Sequence, residues 1–270
     1  MSKMKTPATT TVPTLATARA GGVPLVATTA YDATLAAVID AAGIDIVLVG
    51  DSLGMVVQGR ASTLGVSVDH MVYHCAAVAR GIERALLIGD MPFASYPSPE
   101  HAYANAARLL GEGGMSMVKL EGAGPMLASI EYLSVRDIPV CAHLGLTPQS
   151  VHRMGGFRVQ GRNPDGAARL KSDALAVATA GAALLVLEGV PAALARDITA
   201  ASPIPTIGIG AGVDCDGQIL VCYDVLGITR GHRPRFVADF MQGAGSIQGA
   251  FEAFASAVRE RRFPGLAQSY

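Results

Sequence analysis

Cysteine is scarce and unpaired in this sequence. Cys75, Cys141, Cys215 and Cys222 are the four in 270 residues, and no two stand in a CxxC spacing. Free thiols in a reduced, cytosolic setting are the simplest reading. Charge is also sparse: 21 Lys and Arg face 22 Asp and Glu, a formal net charge of -1. Without a basic block, neither nucleic acid nor an anionic membrane is an expected partner. No window approaches the ~18 consecutive apolar residues of a membrane span. The opening stretch, MSKMKTPATTTVPTLATARA, lacks the apolar run of a secretory leader and is rich in Thr, Ala and Pro. Residues 1–22 are therefore expected as a loosely ordered extension. Low-complexity tracts, short repeats and internal linkers are absent too. Residues 23–270 then read as a single domain with C-terminal helices.

Half of the residues are apolar, enough for a large core. They are grouped in eight short runs: PLVATT (24–29), IDIVLVG (44–50), ALLIG (85–89), MSMVKLE (115–121), IPVCAH (138–143), ALLVLE (183–188), IPTIGIG (204–210) and QILVCY (218–223). Most are apolar at consecutive positions, as in parallel strands covered on both faces. Helical patterns lie between them. Leu35, Val38, Ile39 and Ala42 share one face before Gly43, and Ser98-Pro99-Glu100 is a helix start. Met126, Ile130 and Leu133 line another face, and so do Ile247, Phe251, Phe254 and Val258. The expected fold is α/β, a single-domain (β/α)8 TIM barrel. An open doubly wound sheet could also hold eight strands. The glycine-rich, basic stretch 144–170 is expected as a long loop over the barrel mouth.

Five of the apolar runs close on polar side chains. The second ends at Asp51-Ser52, the third at Asp90, the fifth at His143 and the sixth at Glu188; the fourth carries Lys119 and Glu121. In a barrel, strand C-termini converge on one rim, where such folds place their chemistry. Each residue has a plain alternative. Asp51 could cap the following turn, Asp90 could be a turn residue, and Lys119 and Glu121 could form a structural ion pair. His143 could be a satisfied core histidine, and Glu188-Gly189 a simple strand exit. Five adjacent strands ending this way favour a shared site. Asp51, Asp90 and Glu121 are hard oxygen donors that suit Mg²⁺. Lys119 could hold a substrate carboxylate, and Glu188 could serve as a general base. Together they fit enolisation of a 2-oxo acid. His70 and His74 are four apart on a helix but have no third ligand. GIGAG (208–212) lacks the spacing of a dinucleotide fingerprint and reads as a tight turn at the rim. Gly155, Gly156 and Gly161 are expected to supply turns in the long loop.

The segments VGDSLGMVVQG (49–59), GDMPFASY (89–96), VKLEG (118–122), HLGLTPQSV (143–151), GGFRVQGR (155–162) and LEGVP (187–191) resemble the ketopantoate hydroxymethyltransferase family. The likeness runs in order from Val23 to Phe240. It implies a Mg²⁺-dependent (β/α)8 barrel of pantothenate biosynthesis, a cytoplasmic homodecamer. Such an enzyme transfers a one-carbon unit from 5,10-methylenetetrahydrofolate to 3-methyl-2-oxobutanoate, giving 2-dehydropantoate. On matching positions, the resemblance implies Asp51 and Asp90 as metal ligands that also bind substrate, and Glu121 as a nearby metal-site carboxylate. It implies Ser52 and Lys119 as holders of the substrate carboxylate, His143 beside the substrate, and Glu188 as the proton acceptor. Rival readings are a lyase or mutase of the phosphoenolpyruvate/pyruvate kind, and a barrel that only binds a 2-oxo acid.

Overall fold

The computed structural model describes residues 9–229, 231 and 233–270. Eight strands form one closed barrel: β1 (Leu25–Thr29), β2 (Ile46–Val49), β3 (Leu86–Asp90), β4 (Met117–Glu121), β5 (Val140–Gly145), β6 (Leu184–Glu188), β7 (Thr206–Ile209) and β8 (Gly217–Leu220). Each strand pairs in parallel with the next, and β8 closes on β1 in the register Leu25↔Gly217 to Thr28↔Leu220. That pairing removes the open doubly wound sheet. Every strand residue except Glu188 is buried, because helices cover the outside and side chains fill the inside.

The connecting helices follow local signals. Helix Ala33–Ala41 starts where the Asp32 carboxylate accepts from the Leu35 N–H, and the chain leaves it through Gly43 at φ +79°. Helix Pro99–Gly111 begins at Ser98, whose hydroxyl accepts from the His101 N–H. Helix Leu127–Ser134 buries Ile130 and Leu133. Helix Ile247–Arg259 buries Phe251, Phe254 and Val258 against β1 and Ala33–Ala41, while Ile247 stays half exposed. Phe240, Phe254 and Phe263 pack edge-on there, with centroids 5.3–5.7 Å apart.

Three segments differ from expectation. Within 1–22, residues 1–8 lie outside the described residues, but Val12–Ala20 is a helix. The Thr11 N–H donates to the Thr14 hydroxyl at its start, Leu15 is buried, and Arg19 pairs with Asp216. Those anchors are tertiary, so an isolated Thr- and Ala-rich stretch does not announce them. The stretch 144–170 is only partly loop. β5 runs on to Gly145, Pro148–Ser150 and Val151–Met154 form short turns, and Pro164–Thr179 is a helix capped by Asn163. Its glycines and arginines mask an Asn-Pro helix start. Gly155, Gly156 and Gly161 do take positive φ. The eighth run stops as strand at Leu220. Cys222–Val225 turns helical after the Cys222 N–H meets the Thr29 hydroxyl.

Candidate active site

The polar strand ends meet. Asp90 and Lys119 are register partners on β3 and β4, and the Lys119 ammonium sits 2.6 Å from Asp90 Oδ1. Glu121 is the partner of His143 across β4 and β5, with Oε1 3.8 Å from Lys119 Nζ and 3.4 Å from His143 Nδ1. His143 Nε2 stands 3.3 Å from Glu188 Oε2 at the end of β6. Asp51, directly after β2, joins from the other side: its N–H donates to Asp90 Oδ2 at 3.2 Å. One chain of charged groups therefore crosses the mouth from β2 to β6. The alternation of β4 explains its centre. Lys119 and Glu121 point inward together, while Val118 and Leu120 are buried on the other face.

All of these groups are at least nine-tenths buried except Glu188, whose side chain keeps 15% of its exposure. Four carboxylates, Asp51, Asp90, Glu121 and Glu188, face one lysine and one histidine. Burial, then the neighbouring Asp90 charge, raises the Asp51 carboxyl well above its usual range. Burial also raises Asp90, against the pull of Lys119. For Glu121, burial is outweighed by His143 and Lys119, and its carboxyl is lowered. Burial would discharge Lys119, but Asp90, Glu121 and Asp51 hold it charged. His143 is likewise opposed by burial, yet the carboxylates at both ring nitrogens push it up to about 9. Neither His143 contact has hydrogen-bond geometry, and Glu121 Oε1 has no hydrogen-bond partner.

The excess of buried negative charge, together with that unpartnered oxygen, fits a divalent cation with oxygen ligands. Asp51 and Asp90 could hold it, with Glu121 close by. Among the described residues, no three His, Cys, Asp or Glu side chains stand in a ready coordination cluster. Two carboxylates are enough for an ion that keeps several waters.

Other assignments resolve plainly. The Asp51 carboxylate is not a helix cap; it accepts from Gln149 Nε2 at 2.9 Å. Ser52 lies beside the cluster and contacts the Tyr31 hydroxyl at 2.8 Å. His70 caps its own helix at Ser67, and His74 Nδ1 lies 2.7 Å from the Tyr31 carbonyl. GIGAG turns at the rim with Gly210 and Gly212 at positive φ.

Two residues were missed. Gln149 is a hub: its Nε2 also donates to the Met91 carbonyl, its N–H donates to Glu121 Oε2, and its Oε1 accepts from the Tyr96 hydroxyl. Tyr96 in turn accepts from the Glu121 N–H. Their signal in the sequence was faint, a glutamine after Pro148 and a tyrosine within GDMPFASY, because neither ends an apolar run. Gly145 is equally fixed. At φ +93°, a Cβ there would strike the Glu188 carbonyl, so glycine sets the approach of β5 to the β6 terminus.

A family model described as ketopantoate hydroxymethyltransferase matches residues 9–266. The chain belongs to the ketopantoate hydroxymethyltransferase family. It is 54% identical over 260 residues to 3-methyl-2-oxobutanoate hydroxymethyltransferase 1 of Burkholderia cenocepacia (strain HI2424), covering 96% of each chain. It is 55% identical over 261 residues to the 3-methyl-2-oxobutanoate hydroxymethyltransferase of Xylella fastidiosa (strain M12), again over 96% of each. Among solved structures, a phosphonopyruvate hydrolase in complex with oxalate and Mg++ aligns with a TM-score of 0.60 at 13% identity, over 78% of this chain and 80% of that one. At that identity the likeness speaks for the barrel alone. No described helix is long and apolar enough to cross a membrane.

Proposed function

We propose that the chain is a 3-methyl-2-oxobutanoate hydroxymethyltransferase of pantothenate biosynthesis, with 5,10-methylenetetrahydrofolate as the one-carbon donor. The observation that carries the reading is the unbroken line Asp51–Asp90–Lys119–Glu121–His143–Glu188 across five strand ends. The names of the family and of its relatives supply the substrate and product.

Lys119 and Ser52 hold the keto acid's carboxylate in this reading, with His143 beside its carbonyl. Asp51 and Asp90 would hold Mg²⁺, with the Glu121 carboxylate nearby. When bound, the ion supplies Lewis-acid stabilisation of the developing enolate oxygen. Glu188, the one partly open carboxylate of the line, takes the proton from carbon 3. His143, held charged between Glu121 and Glu188, stands 3.3 Å from the Glu188 carboxylate. Carbon 3 then forms a bond to the donor's methylene carbon. One carbon–nitrogen bond of the donor's methylene bridge breaks as that bond forms; water then displaces the second nitrogen and supplies the hydroxyl oxygen, the protons from carbon 3 and from water go to the two nitrogens, and 2-dehydropantoate and tetrahydrofolate leave. The segment after Gln149 returns to the site where the Gln160 N–H meets the Gly189 carbonyl. It borders the mouth and limits water there. A cytoplasmic homodecamer belongs to the same reading, and sedimentation of the purified protein tests it.

The deciding assay is Mg²⁺-dependent formation of 2-dehydropantoate. Its first half is read separately as deuterium exchange at carbon 3 without folate. Wild type exchanges and Glu188→Gln loses most of the rate; unchanged exchange removes Glu188 as the base.

A further inference from the structure

A recess opens beside the charged line. It holds about 210 Å³ and spans the exits of β3, β4 and β5. Phe93, Tyr96, Pro97 and Met126 form its walls, and Glu121 and Gln149 lie at its inner end. Those two residues belong to both places, so the recess is continuous with the proposed catalytic cluster. Ala94 and the polar Ser150 complete the lining. Phe93 keeps 48% of its surface exposed beside the buried Met91. The next residue, Ala94, is at φ +62°, a left-handed backbone that residues other than glycine rarely adopt. Tyr96 is fixed by Gln149, so one aromatic wall is anchored and the other is free to meet a ligand.

The reaction joins two molecules of unlike chemistry. The keto acid is small and anionic and matches the lysine and the carboxylate-bound cation site. The one-carbon carrier presents a flat heteroaromatic system that must bring its methylene carbon to the same point. A mainly apolar recess ending at Glu121 matches the ring system of the second molecule and has no cation for the first. We propose that this recess is the docking site for the reduced pteridine ring of the one-carbon donor, with Phe93 and Met126 as its contact faces. The assignment rests on the function proposed above and adds where the second substrate sits.

The chain has no tryptophan, so a single Phe93→Trp substitution gives one indole in the protein, and it sits at the recess. Tetrahydrofolate should quench that indole saturably, and 3-methyl-2-oxobutanoate alone should not. Phe93→Ala should raise the KM for 5,10-methylenetetrahydrofolate at least tenfold while the KM for the keto acid stays within twofold. Because Phe93 is half exposed, both variants should fold, which circular dichroism verifies. A donor KM within twofold of wild type in Phe93→Ala, or a rise confined to the keto-acid KM, would overturn the proposal. So would quenching by the keto acid and not by tetrahydrofolate. Wild-type carbon 3 exchange separates the two levels: if exchange is present and these results fail, the recess assignment is wrong and the enolisation reading stands. If exchange is absent in wild type, the functional reading itself fails.

Discussion

Lys119 and Asp90 face each other in register across β3 and β4, with the ammonium 2.6 Å from the carboxylate and both side chains almost fully buried. This contact is the centre of the charged line, since the same ammonium also reaches toward Glu121 at 3.8 Å.

Removing the ammonium leaves buried carboxylates with no fixed cation. Lys119→Met should destabilise the metal-free protein by about 3–5 kcal/mol, the usual cost of breaking a buried pair from one side. Urea denaturation at pH 7 in EDTA measures it. A loss under 1 kcal/mol would mean that the carboxylates simply take up protons.

The pH dependence of stability should carry His143. Its folded pKa of about 9 lies above the ordinary 6.5, because Glu121 and Glu188 outweigh burial. A raised folded pKa stabilises fully below pH 6.5 and is lost as pH rises through about 9. The full effect is on the order of 3 kcal/mol. Urea titrations in EDTA should show stability falling across that window in wild type and a flatter profile in His143→Asn. Parallel profiles would assign the titration elsewhere.

Gln149 should be intolerant in a graded way. Gln149→Met strips partners from Asp51, the Met91 carbonyl and the Tyr96 hydroxyl at once. Orphaned buried groups cost ~1–3 kcal/mol each, so a loss of about 2–4 kcal/mol is expected after relaxation. Gln149→Glu should be worse at neutral pH, because it sets another carboxylate against Asp51 and Glu121. Thermal melts of both variants decide the order.

The thiols should be silent in the native protein. All four cysteines are buried, and burial pushes the Cys141, Cys215 and Cys222 thiols up to about 12. The thiolate is the reactive form. A disulfide reagent at pH 8 should label none within minutes in buffer and all four in denaturant. Rapid native labelling would mean that the barrel opens locally.

Much of the site was legible in the sequence for a simple reason. A parallel strand covered on both faces is apolar throughout, so a charge at its end stands out: Asp90, Lys119, Glu121, His143 and Glu188 all do. The period of two in β4 already placed Lys119 and Glu121 on one face. Gln149 and Tyr96 escaped because irregular segments have no period against which a polar residue is anomalous. The N-terminal helix escaped because its anchors, Leu15 and Arg19, find their partners only in the folded chain.

By itself, then, the order of apolar runs and polar ends pointed to eight parallel strands with charged C-terminal ends, since a strand covered on both faces is apolar throughout. Only the tertiary structure decided that β8 closes on β1 and which strand faces which. Those registers bring Asp90 to Lys119 and Glu121 to His143, contacts between residues far apart in the chain that no local pattern encodes.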